Sequence, residues 1–367
     1  MIANIQVMRG VAALMVVLAH LSLARGGMGL DTFYPRYWWF GPSGVDIFFV
    51  ISGFVVTTSA VNHGRNSTTR WRTACSFALK RVVRIYPVYW VALATAVAVM
   101  PPVGSAVGGL PERSMIAKIF LATPFNDFIA LSWSLCFEMW FYVVLTGILI
   151  VAPKKVYFAL SVWAALTLAI VLYGYVYHPE WSWIAATSPF QVEFMFGCFV
   201  AWLTNAPKET RFGWTAFAVG VAWYAASVYL NAQYGGYDPR WRAPLFGLAS
   251  GFIIYGVVAL ELRKAFFLPR MMLPIGAASY SLYIWHQFIF FVCIYVTEQF
   301  GLFEAVPGPV LLIAWAAIAG LVAFSSYRLI ELPTMKLINR LLGEHRRPLS
   351  EVALNGERKA SLGATTS

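Results

Sequence analysis

Residues 7–26 read VMRGVAALMVVLAHLSLARG, and the fold turns on whether this stretch belongs to a membrane or to a soluble core. Between Val7 and Ala24 the only ionisable residues are Arg9 and His20, and about 18 residues of helix are enough to cross ~30 Å of hydrocarbon. Composition favours the membrane. Of the 367 residues 60% are hydrophobic, 17% aromatic and only 12% charged, about half the charged share of ordinary soluble domains. Nine further apolar stretches follow at 44–61, 82–100, 131–151, 156–176, 189–204, 213–231, 244–261, 276–297 and 309–328. With 7–24 they predict an all-α, polytopic integral membrane bundle of about ten transmembrane helices.

The net charge of +11 is read as topology rather than as nucleic-acid binding, and no nucleic-acid partner is expected. If the N-terminus is cytoplasmic, 21 of the 27 basic residues fall on the inner side, and only Arg25, Arg36, Arg113, Lys118, Arg240 and Arg242 fall outside. The positive-inside rule then orients the chain N-in and C-in. Residues 1–24 could be mistaken for a cleaved signal peptide, but the later spans need no leader. Cys75, Cys136, Cys198 and Cys293 are scattered, so neither a disulfide framework nor a metal site is expected. The Asn66-Ser67-Thr68 sequon falls on an inside loop. Residues 1–333 read as one membrane domain and 334–367 as a cytoplasmic polar tail, disordered towards its end, where periodicity is lost after about Gly343.

Ionisable side chains at membrane depth are costly and mark function by default. Arg9 and His20 are eleven positions apart: three helical turns plus about 20°, hence one face, with roughly 16 Å between them along the axis. Arg9 alone could be an arginine snorkelling to the inner surface. The second span opens FGPSGVDIFFVISGF, residues 40–54. Ser43 or Gly44 can cap its outer start, and Asp46 falls in the first turn, at a depth close to that of His20. A carboxylate there would orient the imidazole, and the free amides could hold an oxyanion. The other reading of Asp46 is a helix-start acid, with Gly44, Ser52 and Gly53 serving close packing.

KRVVRIYP, residues 80–87, places Lys80, Arg81 and Arg84 at a cytoplasmic entrance. They are topological anchors or donors to a phosphate-bearing ligand, for which forked guanidinium groups are suited. In LSWSLCFEMWFYVV, residues 131–144, Glu138 and Tyr142 share a face. Glu193 is a second intramembrane acid, expected to have a structural pairing. In SYSLYIWHQ, residues 279–287, a polar stripe ends in His286, a rival candidate base. Glu331 in RLIELP, at the inner end of the tenth span, is a candidate counter-ion for the basic entrance.

Taken in order, Arg9 and His20, GPSGVDIFFVISGF, KRVVRIYP, SWSLCFEMWFY, YSLYIWH and IELP resemble the acyltransferase-3 family of membrane O-acyltransferases over about residues 4–333. The opening NIQVMRGVAALMVVLAH is most similar to the branch that acetylates bacterial exopolysaccharides. The resemblance implies a ten-span protein of the bacterial inner membrane. It would take an acyl group, most simply acetyl from acetyl-CoA, and place it on a carbohydrate hydroxyl, with no metal. It gives His20 the catalytic role and Arg9 an essential one, and it sets Arg81 and Arg84 at the acyl-coenzyme A donor. A proton-coupled exporter is the alternative that buried acids and histidines equally permit. The chain shows no repeated halves to support it. A sensor or scaffold leaves the Arg9–His20 stripe unused.

Overall fold

A computed structural model of the chain describes residues 2–23, 36–65, 69–99, 114–178, 183–205, 207–234 and 239–343. Arg25, Arg113, the Asn66 sequon and the tail beyond Gly343 lie outside them. Among the described residues every regular element is helical. Each of the ten apolar stretches coincides with one helix: α1 Ala3–Leu23, α2 Gly44–Arg65, α3 Arg70–Val99, α4 Ser132–Val151, α5 Val156–Tyr177, α6 Phe190–Thr204, α7 Gly213–Tyr234, α8 Leu248–Leu262, α9 Ser279–Gln299 and α10 Gly308–Ser326.

Among the described residues, eight helices are long and apolar enough to cross a membrane by length and composition. The other two of the ten are α6 and α7. Helix α6 has 15 residues, about 22 Å at 1.5 Å per residue, and α7 is diluted by Trp, Tyr, Asn and Gln. Helices α1, α2, α8 and α9 are mostly buried, whereas α5 and α10 turn most of their surface outward. The outward side chains are apolar, among them Leu166, Val176, Ile313 and Leu321, as lipid contact requires. The architecture is therefore an α-helical membrane bundle with its polar groups inside.

In lipid, helices gain little from burying leucine against leucine, so close backbone approach through small residues carries the packing. Helix α2 crosses α6 in this way. A Cβ on Gly53 would fall 2.2 Å from the Phe194 carbonyl oxygen, and one on Gly197 would fall 2.1 Å from that of Val50. Gly44 meets α1 similarly, 2.4 Å from the Ala12 carbonyl oxygen. The packing reading of Gly44 and Gly53 holds. The first turn of α1 is pinned by Glu261 of α8, whose carboxylate accepts the Ala3 and Asn4 amides at 2.7 and 2.6 Å. An anion at a helix N-terminus satisfies donors that otherwise lack partners.

Asp46 departs from the expectation that it would orient His20. It is fully buried and held bidentately by Arg242: Nε donates to Oδ1 at 3.1 Å, and Nη2 donates to Oδ2 and also to the Pro42 carbonyl at 2.9 Å. Arg242, expected to face outward, is buried as well. The two residues after it, Ala243 and Pro244, open a π-helical turn, Ala243–Gly247, that leads into α8; such turns often mark functional sites. The start of α2 is likewise no free amide end. A 3-10 helix, Arg36–Ser43, runs into it, and the Ser43 hydroxyl bonds the Phe40 carbonyl and the Tyr224 hydroxyl. At the other terminus a second π-helical turn, Tyr327–Glu331, continues into α11, Leu332–Leu341, so the stretch expected to be polar tail from residue 334 begins as helix.

Two stability predictions follow from this packing. Gly197→Ala should lose about 1–3 kcal/mol through overpacking, read as a lower unfolding temperature in detergent, while Gly147→Ala, with nothing within 4 Å of the new Cβ, should leave it unchanged or higher. Breaking the Asp46–Arg242 pair with Asp46→Asn should cost about 3–5 kcal/mol, and the double change Asp46→Leu/Arg242→Met should recover most of it.

Candidate active site

Five helices converge on a cavity of about 200 Å3. Helix α1 contributes Arg9, α2 Phe48 and Ser52, α3 Arg81 and Arg84, α4 Ser134, Glu138 and Tyr142, and α9 Ser279, Tyr280 and Tyr283. Three of the lining residues are arginines and one is a carboxylate.

The carboxylate is satisfied by hydroxyls. Glu138 Oε1 accepts from Ser52 Oγ and from Tyr142 Oη, each at 2.5 Å. The arginines are far less committed. Arg81 packs its guanidinium carbon 5.1 Å from the Phe77 ring centre and 5.8 Å from that of Tyr142, and its Nε is buried without a hydrogen-bond partner. Arg9 reaches only the Gln6 Oε1, at 3.4 Å. Arg84 lies 4.0 Å from Glu331, whose other oxygen accepts from Ser281 at 2.8 Å. A concave site with forked donors in excess of carboxylate is suited to an anionic group. Glu331 thus sits where its reading as a counter-ion put it. Lys80 does not line the cavity, and its amine lies 3.3 Å from His63 Nε2.

Beyond the cavity stand two imidazoles. Their ring centres are 5.1 Å apart and their planes 68° to one another, so the rival candidate bases His20 and His286 form one pair. His20 Nδ1 lies 2.9 Å from the Val16 carbonyl and His286 Nδ1 3.0 Å from that of Leu282. A carbonyl only accepts, so Nδ1 of each neutral ring carries the proton and Nε2 the lone pair. On His286 that Nε2 is buried without a hydrogen-bond partner. Neither histidine lines the cavity. Tyr283 does, and its ring is 6.2 Å from that of His286, one turn further along α9.

Arg9, Arg81, Arg84, Glu138 and Tyr142 are therefore brought together, Glu331 adjoins them, and His20 joins His286 next door. Asp46 and Glu193 lie in a separate cluster with Arg242. Glu193 meets Asp46 there, carboxyl to carboxyl. Sequence reasoning missed Ser52 as a Glu138 ligand. A serine beside a packing glycine gave no other signal than its depth. It also missed Arg242, which had the signal of a guanidinium next to a span but was read as loop. Among the described residues no group of three His, Cys, Asp or Glu side chains could hold a metal ion.

The acyltransferase domain family matches residues 2–327. The exopolysaccharide production protein ExoZ of Rhizobium meliloti (strain 1021) is 29% identical over 314 residues, covering 81% of this chain and 90% of that protein. The provisionally assigned membrane-bound transacylase BcsY of Komagataeibacter xylinus is 24% identical over 306 residues, covering 77% of this chain and 71% of that protein. No solved structure matches the chain. The family match spans every helix from α1 to α10 and the whole cavity with its histidine pair, and the chain belongs to the acyltransferase-3 family of multi-pass membrane proteins.

Proposed function

We propose that this chain transfers an acyl group, acetyl in the first instance, from cytosolic acyl-coenzyme A to a hydroxyl of a carbohydrate, with exopolysaccharide or its lipid-linked precursor as acceptor. The single observation that carries this reading is the arginine-lined cavity set directly beside a pair of imidazoles whose Nδ1 atoms are both turned to backbone carbonyls. The acceptor class rests on the similarity to ExoZ, an exopolysaccharide production protein. The positive-inside bias supports an N-in, C-in chain of ten spans in the bacterial cytoplasmic membrane, and places Arg81 and Arg84, near the inner part of α3, on the side where the donor is found. Membership of an acyltransferase family supports the transferase reading over the exporter.

The residues divide the work by chemistry. The nucleotide phosphates of the donor engage Arg81 and Arg84, whose forks suit phosphate oxygens. Arg9, on α1, holds polar atoms of the arm. A space of about 200 Å3, against the ~150 Å3 that holds one benzene-sized molecule, has room for the thioester end of the carrier. At His20 the hydroxyl oxygen of the acceptor attacks the thioester carbonyl carbon, and its proton passes to Nε2 as the C–O bond forms. The tetrahedral intermediate collapses with scission of the C–S bond, and the same proton goes to the departing thiolate. One ester and one free thiol result. The buried setting excludes the water that would otherwise hydrolyse the thioester.

Kinetics of purified protein with acetyl-coenzyme A and alkali-deacylated cell-surface polysaccharide test this reading. His20→Gln should lower kcat by about 10²–10⁴ with KM for the donor nearly unchanged. Arg81→Ala or Arg84→Ala should raise that KM by about 10–100-fold, the worth of one charged hydrogen bond, with a smaller effect on kcat. Wild-type turnover by the His20→Gln protein would sink the assignment.

A further inference from the structure

The cavity and the histidine pair are neighbours, but they are not one space. Phe48 and Tyr283 line the cavity, and His20 and His286 do not. The rings form a continuous file: Phe48 to Tyr283 at 6.0 Å with planes 67° apart, Tyr283 to His286 at 6.2 Å, and His286 to His20 at 5.1 Å. The two rings at the cavity end are held differently. Tyr283 is tethered, its hydroxyl bonded to Ser134 Oγ at 2.7 Å and lying 3.1 Å from the Leu131 carbonyl, which Ser134 also meets at 3.1 Å. Phe48 has no polar anchor and is only partly buried.

We propose that Phe48, closing against the fixed ring of Tyr283, is the size filter of the enzyme: it limits which acyl group can pass from the arginine-lined cavity to His20. The proposal rests on the acyl-transfer reading above and adds to it the residue that sets chain length. An acyl group travels at the leading end of the thioester arm, so it must cross the file of rings before the carrier sulfur does. A two-carbon acyl group needs only a small displacement of the unanchored ring. Each added methylene needs a larger one, against Tyr283, which two polar partners hold in place. Removing the Phe48 ring widens the passage on the side that has no tether and leaves the arginines, Glu138 and both histidines in place.

The test compares acetyl-, butyryl- and hexanoyl-coenzyme A as donors, with thiol release and ester formation on alkali-deacylated surface polysaccharide as the two readouts. Wild type should favour acetyl. Phe48→Ala should raise the butyryl-to-acetyl ratio of kcat/KM by about tenfold or more, the scale on which single methylenes are discriminated in an apolar pocket, while acetyl transfer itself persists. Phe48→Trp should move the ratio the other way. Should Phe48→Ala fail to fold, Phe48→Leu provides the smaller widening, with a change in the same direction. A ratio that stays within twofold of wild type in the folded variants, with acetyl transfer intact, overturns the filter and leaves the proposed function standing. A wild-type protein that releases thiol from none of the three donors overturns both.

Discussion

A charge withdrawn from water into a lipid-embedded bundle must be met by the protein itself, and the way this chain meets its charges determines what its cavity can bind. Four of the carboxylates are taken up from within. Glu261 is occupied by two backbone amides, Asp46 by the fork of Arg242, Glu331 by Ser281 with Arg84 at longer range, and Glu138 by two hydroxyls. Glu138 is the telling case. Neutral donors satisfy it, so no guanidinium in the cavity is consumed by it, and the excess of N–H donors over acceptors stays available to a ligand. Had one of the cavity arginines been its partner instead, that fork would be occupied and fewer donors would be left for a ligand.

Such a site is useful only if its members hold still, and α1 is the element most constrained. Glu261 fixes its first turn. One turn later the Gln6 carbonyl packs so tightly on the short helix Leu273–Ala277 that a Cβ on Gly276 would fall 1.8 Å from its oxygen. At Ala12 the same helix is met by Gly44. Arg9 lies between these two glycine contacts, and His20 lies beyond them with its ring locked through Nδ1 to the helix backbone. Small residues thus do for a membrane enzyme what an apolar core does for a soluble one, and they position the functional groups to within the tolerance that transfer chemistry demands.

This distinction also explains what could be read from the sequence. All ten apolar stretches became helices because length and hydropathy are local properties, and the polar face of α1 was legible because helical periodicity is local too. Arg81 and Arg84 were expected at a cytoplasmic entrance and Glu138 with Tyr142 on one face of another span, and nothing in the sequence brought the two pairs together. What failed was pairing. Asp46 was assigned to His20 because a short connection suggested proximity, whereas the partner came from nearly two hundred residues away, next to a π-helical turn that no apolar pattern announces. Ser52 was hidden for the same reason: its significance lies in an acid on another helix. Tertiary pairing among buried polar groups depends on helix rotation, and hydropathy constrains rotation only loosely when the helices are apolar all round.

Among the described residues no carboxylate is placed against His20, and this bears on the chemistry. In the familiar arrangement an acid behind the imidazole stabilises the imidazolium that forms during transfer. Here a backbone carbonyl fixes the tautomer, and the nearest titratable neighbour is another imidazole whose own Nδ1 is spoken for. Under the proposed reaction this has a cost and a benefit. A protonated His20 gains no lasting partner, so the proton taken from the hydroxyl must move on quickly, and the nascent thiolate is the acceptor that arrives with the substrate. In return, a resting pair of neutral rings needs no buried anion of its own behind the base.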